Sequence, residues 1–155
     1  MPVQRQLVRF EPKGVLRITP ERIARVEISR GTQHLVLRRS GDRQWSTAEG
    51  NDIGPAGSRV SMAVQVMHTA GPVREMAESE LAGVDTAPFG LDPPQLAATL
   101  YDESGAPVLA VRFGARNPEG YLQYMRLDGD ARLYLMSLFV GEEWSQAINA
   151  AAISP

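Results

Sequence analysis

Residues 95–140 read QLAATLYDESGAPVLAVRFGARNPEGYLQYMRLDGDARLYLMSLFV, and their alternation decides the fold class. Leu96, Ala98 and Leu100 recur at every second position, and so do Leu109, Val111 and Phe113, with Ser104-Gly105 between the two sets. A period of two puts one set of side chains on a buried face and the intervening set toward water, as in half-buried strands. Two more extended runs follow at 121–127 and 132–136, separated by Asp128-Gly129-Asp130, a hairpin turn. Connections this short cannot hold crossover helices, so the four strands pair antiparallel. Beyond them Val140, Trp144, Ala147, Ile148 and Ala151 form one stripe at helical spacing, which predicts a final helix lying on the sheet.

The same logic runs back toward the N-terminus. Val26 and Ile28 alternate with Arg25, Glu27 and Ser29, Gly31-Thr32 is a turn, and His34 to Arg39 reads as the hairpin partner. Ser40-Gly41-Asp42 turns the chain into a third short strand around Trp45. After Pro55, the residues Val60, Ala63, Val64, Met67 and Ala70 mark one face of a helix that Gly71-Pro72 ends, with Gly57-Ser58 read as its cap. A short strand from Val73 to Met76 and a helical turn from Ser79 to Ala82 lead to Phe89-Gly90-Leu91-Asp92-Pro93-Pro94. Its two prolines forbid helix and supply no donor to a central ladder, so this is a fixed corner, with Phe89 and Leu91 as a plug joining two halves.

The expected fold is α+β: a largely antiparallel sheet, in one piece or more, with two packing helices. The element order suggests two pseudo-repeated strand-strand-strand-helix halves, 18–76 and 77–155, within a single domain 18–155. Residues 1–17, broken by Pro12 and Gly14, read as an extended lead-in. A chain of 155 residues with 43% hydrophobic content is long enough to fold around one core, with Trp45 and Trp144 inside it.

Composition removes several functions. Without cysteine there is no disulfide, thiolate metal site or cysteine nucleophile. Residues 1–50 carry +5 and residues 51–155 carry −7. The arginines of the first half are interleaved with acids along strands and form no basic block, which argues against a nucleic-acid partner. The longest apolar run, Leu133 to Val140, falls far short of the ~20 residues that span a bilayer. Met1-Pro2-Val3-Gln4-Arg5 lacks the apolar stretch of a signal peptide, which leaves either a cytoplasmic protein or a chain whose leader is gone.

Chemistry-bearing motifs are scarce. His34 on a strand and His68 on a helix are the two histidines, and a metal site would need both together with carboxylates. No Gly-x-Ser-x-Gly elbow occurs, and Asp128-Gly129-Asp130 lacks the further ligands of a calcium loop. Glu142-Glu143 reads as helix-dipole charge in the first turn or so of the final helix. No catalytic residue, cofactor or metal is therefore expected. The connection Gly114 to Gly120, the longest of the second half, is the candidate recognition loop, with Arg116, Asn117, Tyr121 and Arg126 as its binding residues. Tyr121 and Tyr124 fall on opposite strand faces, so at least one belongs to the core.

The corner Phe89-Gly90-Leu91-Asp92-Pro93-Pro94-Gln95-Leu96, followed by a strand, Gly105, a strand ending Phe113-Gly114, Tyr124-Met125-Arg126 and Leu133-Tyr134-Leu135, resembles the DUF 4340 family of bacterial envelope proteins. Ile23 to Ile28, Leu35 to Arg39, Gly41-Asp42 and Trp45 resemble that family's opening pattern, so the likeness covers roughly 18–140. Gly54-Pro55-Ala56-Gly57-Ser58 departs from it where the family commonly has an aspartate. The resemblance implies a transmembrane helix ahead of the lead-in, with Phe10-Glu11-Pro12 as the stretch that follows it, a periplasmic position at the inner membrane, and ABC-transporter subunits as partners. It supplies no catalytic residues. The expectation is a non-catalytic extracytoplasmic accessory domain that meets a protein partner; the alternatives are a small-ligand module for a glycan, peptide or lipid head group, and a cytoplasmic location.

Overall fold

The computed structural model describes residues 13–153, so the expected lead-in is seen only from Lys13 onward and the rest of it lies outside the described residues. Strands β1 (Ile23–Arg30), β2 (Gln33–Gly41) and β3 (Gln44–Thr47) precede helix α1 (Ala56–Thr69) and a short strand β4 (Arg74–Met76). Strands β5 (Leu96–Asp102), β6 (Pro107–Arg116), β7 (Leu122–Leu127) and β8 (Leu133–Ser137) precede helix α2 (Leu138–Ile153). All eight strands form one antiparallel sheet in the order β3-β2-β1-β5-β6-β7-β8-β4, and the two helices pack side by side, as an α+β fold requires.

The sheet is two meanders joined at β1 and β5, where Val26 lies opposite Leu100 and Ile28 opposite Ala98. Each meander runs outward from that junction, so the first three strands of each half occupy matching places. β8 has no counterpart in the first half. β4, which follows α1 in the chain, crosses to the far edge and pairs with β8.

Alternation fixes which side chains enter the core. Ile23, Val26, Ile28, Leu37, Leu96, Leu100, Val111, Phe113 and Met125 point to the helix side and are buried with Val60, Ala63, Met67, Trp144 and Ile148. Each large apolar side chain so buried contributes about 1.5–3 kcal/mol relative to exposure. Residues 13–18 run along the end of α1: Gly14 and Leu16 donate to the carbonyls of His68 and Met67 at 3.0 and 2.8 Å.

The opposite face is covered at one end only. Leu133 and Leu135 alternate with Tyr134 and Met136 and so point away from the helices, yet both are buried. The 77–94 segment crosses this face, with the Phe89 ring 4.6 Å from the Tyr124 ring and Leu91 buried against Gly114. The corner therefore closes a second, smaller apolar layer over the second meander and does not plug a seam between halves. Tyr124 is accordingly the partly buried tyrosine of the pair with Tyr121.

Several boundaries differ from the sequence expectation. β2 continues through Gly41, so the hairpin turn is Asp42-Arg43, with Arg43 in the left-handed region at φ 55°. α1 starts at Ala56 with Pro55 as its N-cap and no side-chain cap, so Gly57 and Ser58 lie inside the first turn. Gly57 is there because a Cβ would come within 2.5 Å of the Arg43 carbonyl oxygen, where helix and hairpin meet. α2 starts at Leu138, directly after β8 and ahead of Gly141, which puts Glu142 and Glu143 in its second turn. Gly114 to Arg116 belong to β6 across a register shift, so the candidate loop shrinks to 117–121.

Candidate functional site

β7 begins, β8 ends and β4 begins at one end of the sheet. Leu122 lies opposite Ser137, and the Val73 N–H donates to the Leu135 carbonyl at 2.8 Å. Three of the four residues singled out from sequence come to this end. Arg116, opposite Gln123, lines a recess of about 150 Å3 with Gln95, Leu138, Gly141 and Glu142 at the start of α2. Tyr121 is 77% exposed. Asn117 holds the hairpin: its Oδ1 accepts from the backbone N–H groups of Gly120, Tyr121 and Leu122 at 3.1, 3.2 and 3.1 Å. That oxygen is fully used within the turn, so Asn117 shapes the loop and only its side-chain NH2 is left to meet a ligand.

Arg126 lies elsewhere. Its partner across β6 is Arg112, on the face away from the helices, and its Nη2 donates to the Ala131 carbonyl at 3.2 Å. It lines a different hollow with Glu78, Leu81 and Thr86. Arg116, Tyr121 and Arg126 therefore share no concave pocket in which a ring could be stacked between them.

The sequence reading missed two exposed apolar side chains at the same end, Val73 at 58% and Phe139 at 49%. Val73 immediately precedes the edge strand β4, and Phe139 sits in the first turn of α2, off the buried stripe of Val140, Trp144 and Ala147. That offset from the stripe is the signal that marks Phe139. With Tyr121, these are three of the six large apolar side chains exposed among the described residues, and register puts them on neighbouring elements.

The two edges of the sheet differ. At β3 the 51–53 segment covers the edge: Ile53 donates to the Trp45 carbonyl at 3.0 Å, Thr47 to the Asn51 carbonyl at 2.8 Å, and Ser46 bridges to Asp52. β4 has β8 on one side and is itself the end of the sheet order.

The densest polar cluster holds that edge in place. Arg132 bonds Asp130 through Nη2 and Glu75 of β4 through Nη1, each at 2.9 Å, and the Tyr134 hydroxyl donates to Asp130 Oδ2. The bonds from Arg132 hold the Asp130 carboxyl well below the usual carboxylate range against an opposing effect of burial, and the Tyr134 hydroxyl helps. Burial and then the bond to Asp130 push the Tyr134 phenol up to about 12, so it stays a donor at neutral pH. Asp130 lines two open hollows of about 580 and 450 Å3, but Glu75, Arg132 and Tyr134 line neither, and the chemistry of the cluster is that of a staple joining the β7–β8 hairpin to β4.

A pH dependence follows. Because folding depresses the Asp130 pKa, its contribution is present above the unfolded value of about 3.9 and is lost as pH falls toward the folded one. Asp130→Asn is expected to lower stability at pH 7 and to narrow its gap to wild type below about pH 4. Urea unfolding at the two pH values checks this, and an equal gap at both would show that the carboxylate charge is not what holds the cluster.

The histidines do not converge on such chemistry. His34 is exposed on β2, whereas His68 is buried at the end of α1 with Nδ1 2.8 Å from the Leu16 carbonyl, a packing role in place of the expected helix-flank position. Among the described residues no three His, Asp or Glu side chains are grouped to hold a metal ion, and no helix is long and apolar enough to cross a membrane. In comparisons with known proteins, no family model, no curated protein and no solved structure matches the chain. The family likeness of the Phe89–Leu96 corner stands on its residues alone.

Proposed function

We propose that this is a non-catalytic interaction domain that docks a protein partner on the end of the sheet marked by Val73, Tyr121 and Phe139. The observation that carries the reading is the exposure of these three side chains around the start of β4. Aromatic side chains exposed together beside an arginine are what protein interfaces use as anchors, here with Arg116 at the rim. The adjoining β4 edge offers a strand to pair with. The resemblance at the Phe89–Leu96 corner supports placing the domain on the periplasmic face of the inner membrane, as the accessory part of a membrane-anchored envelope protein beside ABC-transporter subunits.

The test is retention of transporter subunits from detergent-solubilised envelope membranes by the wild-type domain and by Tyr121→Ala/Phe139→Ala. Both side chains stand outside the core, so the double variant is expected to unfold like wild type while retention falls about tenfold. Equal retention by the two proteins would remove this surface from the reading, and retention of no subunit by either would remove the transport role.

A further inference from the structure

Arg43 is the one non-glycine residue with a left-handed backbone among the described residues. It is the second residue of the Asp42-Arg43 turn, where glycine or asparagine would meet the same geometry at lower cost. Residues held in this region cluster at functional sites. The close approach of Gly57 to this turn fixes the backbone of Arg43 but places no demand on its side chain.

Arg43 lines a polar recess of about 260 Å3 between the β2–β3 turn, the 3-10 turn Pro20–Arg22 and α1, together with Glu21, Arg39, Asp42, Ser61 and Gln65. Arg39 is a fixed wall: Nε and Nη2 donate to the carbonyls of Ile23 and Pro20 at 2.8 and 2.9 Å, and its guanidinium lies 4.6 Å from the Trp45 ring centre. Ser61 Oγ accepts the Trp45 indole N–H at 2.9 Å, which leaves its own proton free to donate. The side chains of Arg43 and Gln65 have no partner among the described residues.

The lining therefore offers donors from Arg43, Ser61 and Gln65 and acceptors from Glu21 and Asp42, carboxylates whose charge already favours the Arg39 guanidinium, with two positive and two negative charges in all. A simple anion would meet both carboxylates, and a simple cation both guanidiniums. A compact molecule carrying both charges satisfies both sets. We propose that this recess binds a small zwitterion of the α-amino-acid class, its carboxylate on Arg43 and Ser61 and its ammonium toward Glu21 and Asp42.

Calorimetric titration and thermal melting of the whole chain test this with glycine, L-alanine, L-serine and L-glutamine, against propionate and ethylamine as single-charge controls. At least one amino acid is expected to bind and to raise the melting temperature, and the controls are not. Arg43→Asn keeps a residue that tolerates the left-handed turn, so it is expected to melt at or above the wild-type temperature while binding that amino acid at least about tenfold more weakly. The proposal is overturned if none of the four amino acids binds, if a control binds as well as they do, or if Arg43→Asn binds like wild type.

Discussion

Replacing Trp45 by alanine is expected to lower the stability of the fold by about 3–5 kcal/mol. Trp45 is fully buried on β3, gives its indole N–H to Ser61 on α1, and lies beneath the Arg39 guanidinium. It joins the hairpin to the first helix and, through Arg39, to the turn at Pro20. Trp144 is equally buried on α2, but its indole N–H has no partner among the described residues. The two tryptophans should respond differently to phenylalanine, which removes the N–H and keeps most of the apolar bulk. Trp45→Phe is expected to cost about 1 kcal/mol more than Trp144→Phe, the net worth of one hydrogen bond. Urea unfolding of the three variants beside wild type measures both statements. Equal costs for the two phenylalanine variants would mean that the bond to Ser61 contributes nothing.

Strand alternation at Val26 and Ile28, at Leu96 to Leu100 and at Leu109 to Phe113 was enough to place most of the sheet, because each strand has one buried face and one wet face. The order of the strands was not legible. The pairing of β1 with β5 and of β4 with β8 joins residues 57 to 79 positions apart, and no local pattern records such a partner. The boundary errors have local causes. At Gly41-Asp42-Arg43 the turn uses an arginine where a glycine or asparagine signals a left-handed position, so the text pointed one residue too early. At Gly114 the register shift lets strand geometry continue through a residue that reads as a turn.

The candidate site was legible in part for a related reason. A loop between strands can be found from its breakers, and that found Arg116 and Tyr121. Side chains of one strand that lie on opposite faces cannot be told apart by proximity in sequence, so Arg126 was grouped with a loop whose face it does not share. The part Asn117 plays in holding the turn was not legible, because turn-forming and ligand-binding asparagines look alike until their hydrogen bonds are seen. Val73 and Phe139 reach the same end as Tyr121 only through the β4–β8–β7 pairing.

Leu91→Ala is expected to cost about 2–5 kcal/mol, toward the lower end because Leu91 is 9% exposed at the margin of the outer layer. The effect runs through Gly114, which can accept the corner only because it has no side chain. A Cβ there would strike the Phe89 carbonyl oxygen and come within 2.9 Å of Leu91 Cδ2. Gly114→Ala is therefore expected to destabilise by about 1–3 kcal/mol. Shortening Leu91 would relieve the contact between side chains, but the Phe89 carbonyl is backbone and cannot be trimmed. The double variant Leu91→Ala/Gly114→Ala is thus expected to be less stable than Leu91→Ala alone. A double variant as stable as Leu91→Ala would show that the corner backbone yields and that the side-chain contact was the whole obstacle. An unchanged unfolding curve for Leu91→Ala itself would contradict the second apolar layer. Since that layer backs β7 through Phe89 and Tyr124, its loss should also loosen the strand from which Tyr121 projects, and partner retention by Leu91→Ala would fall below wild type even where the variant remains folded.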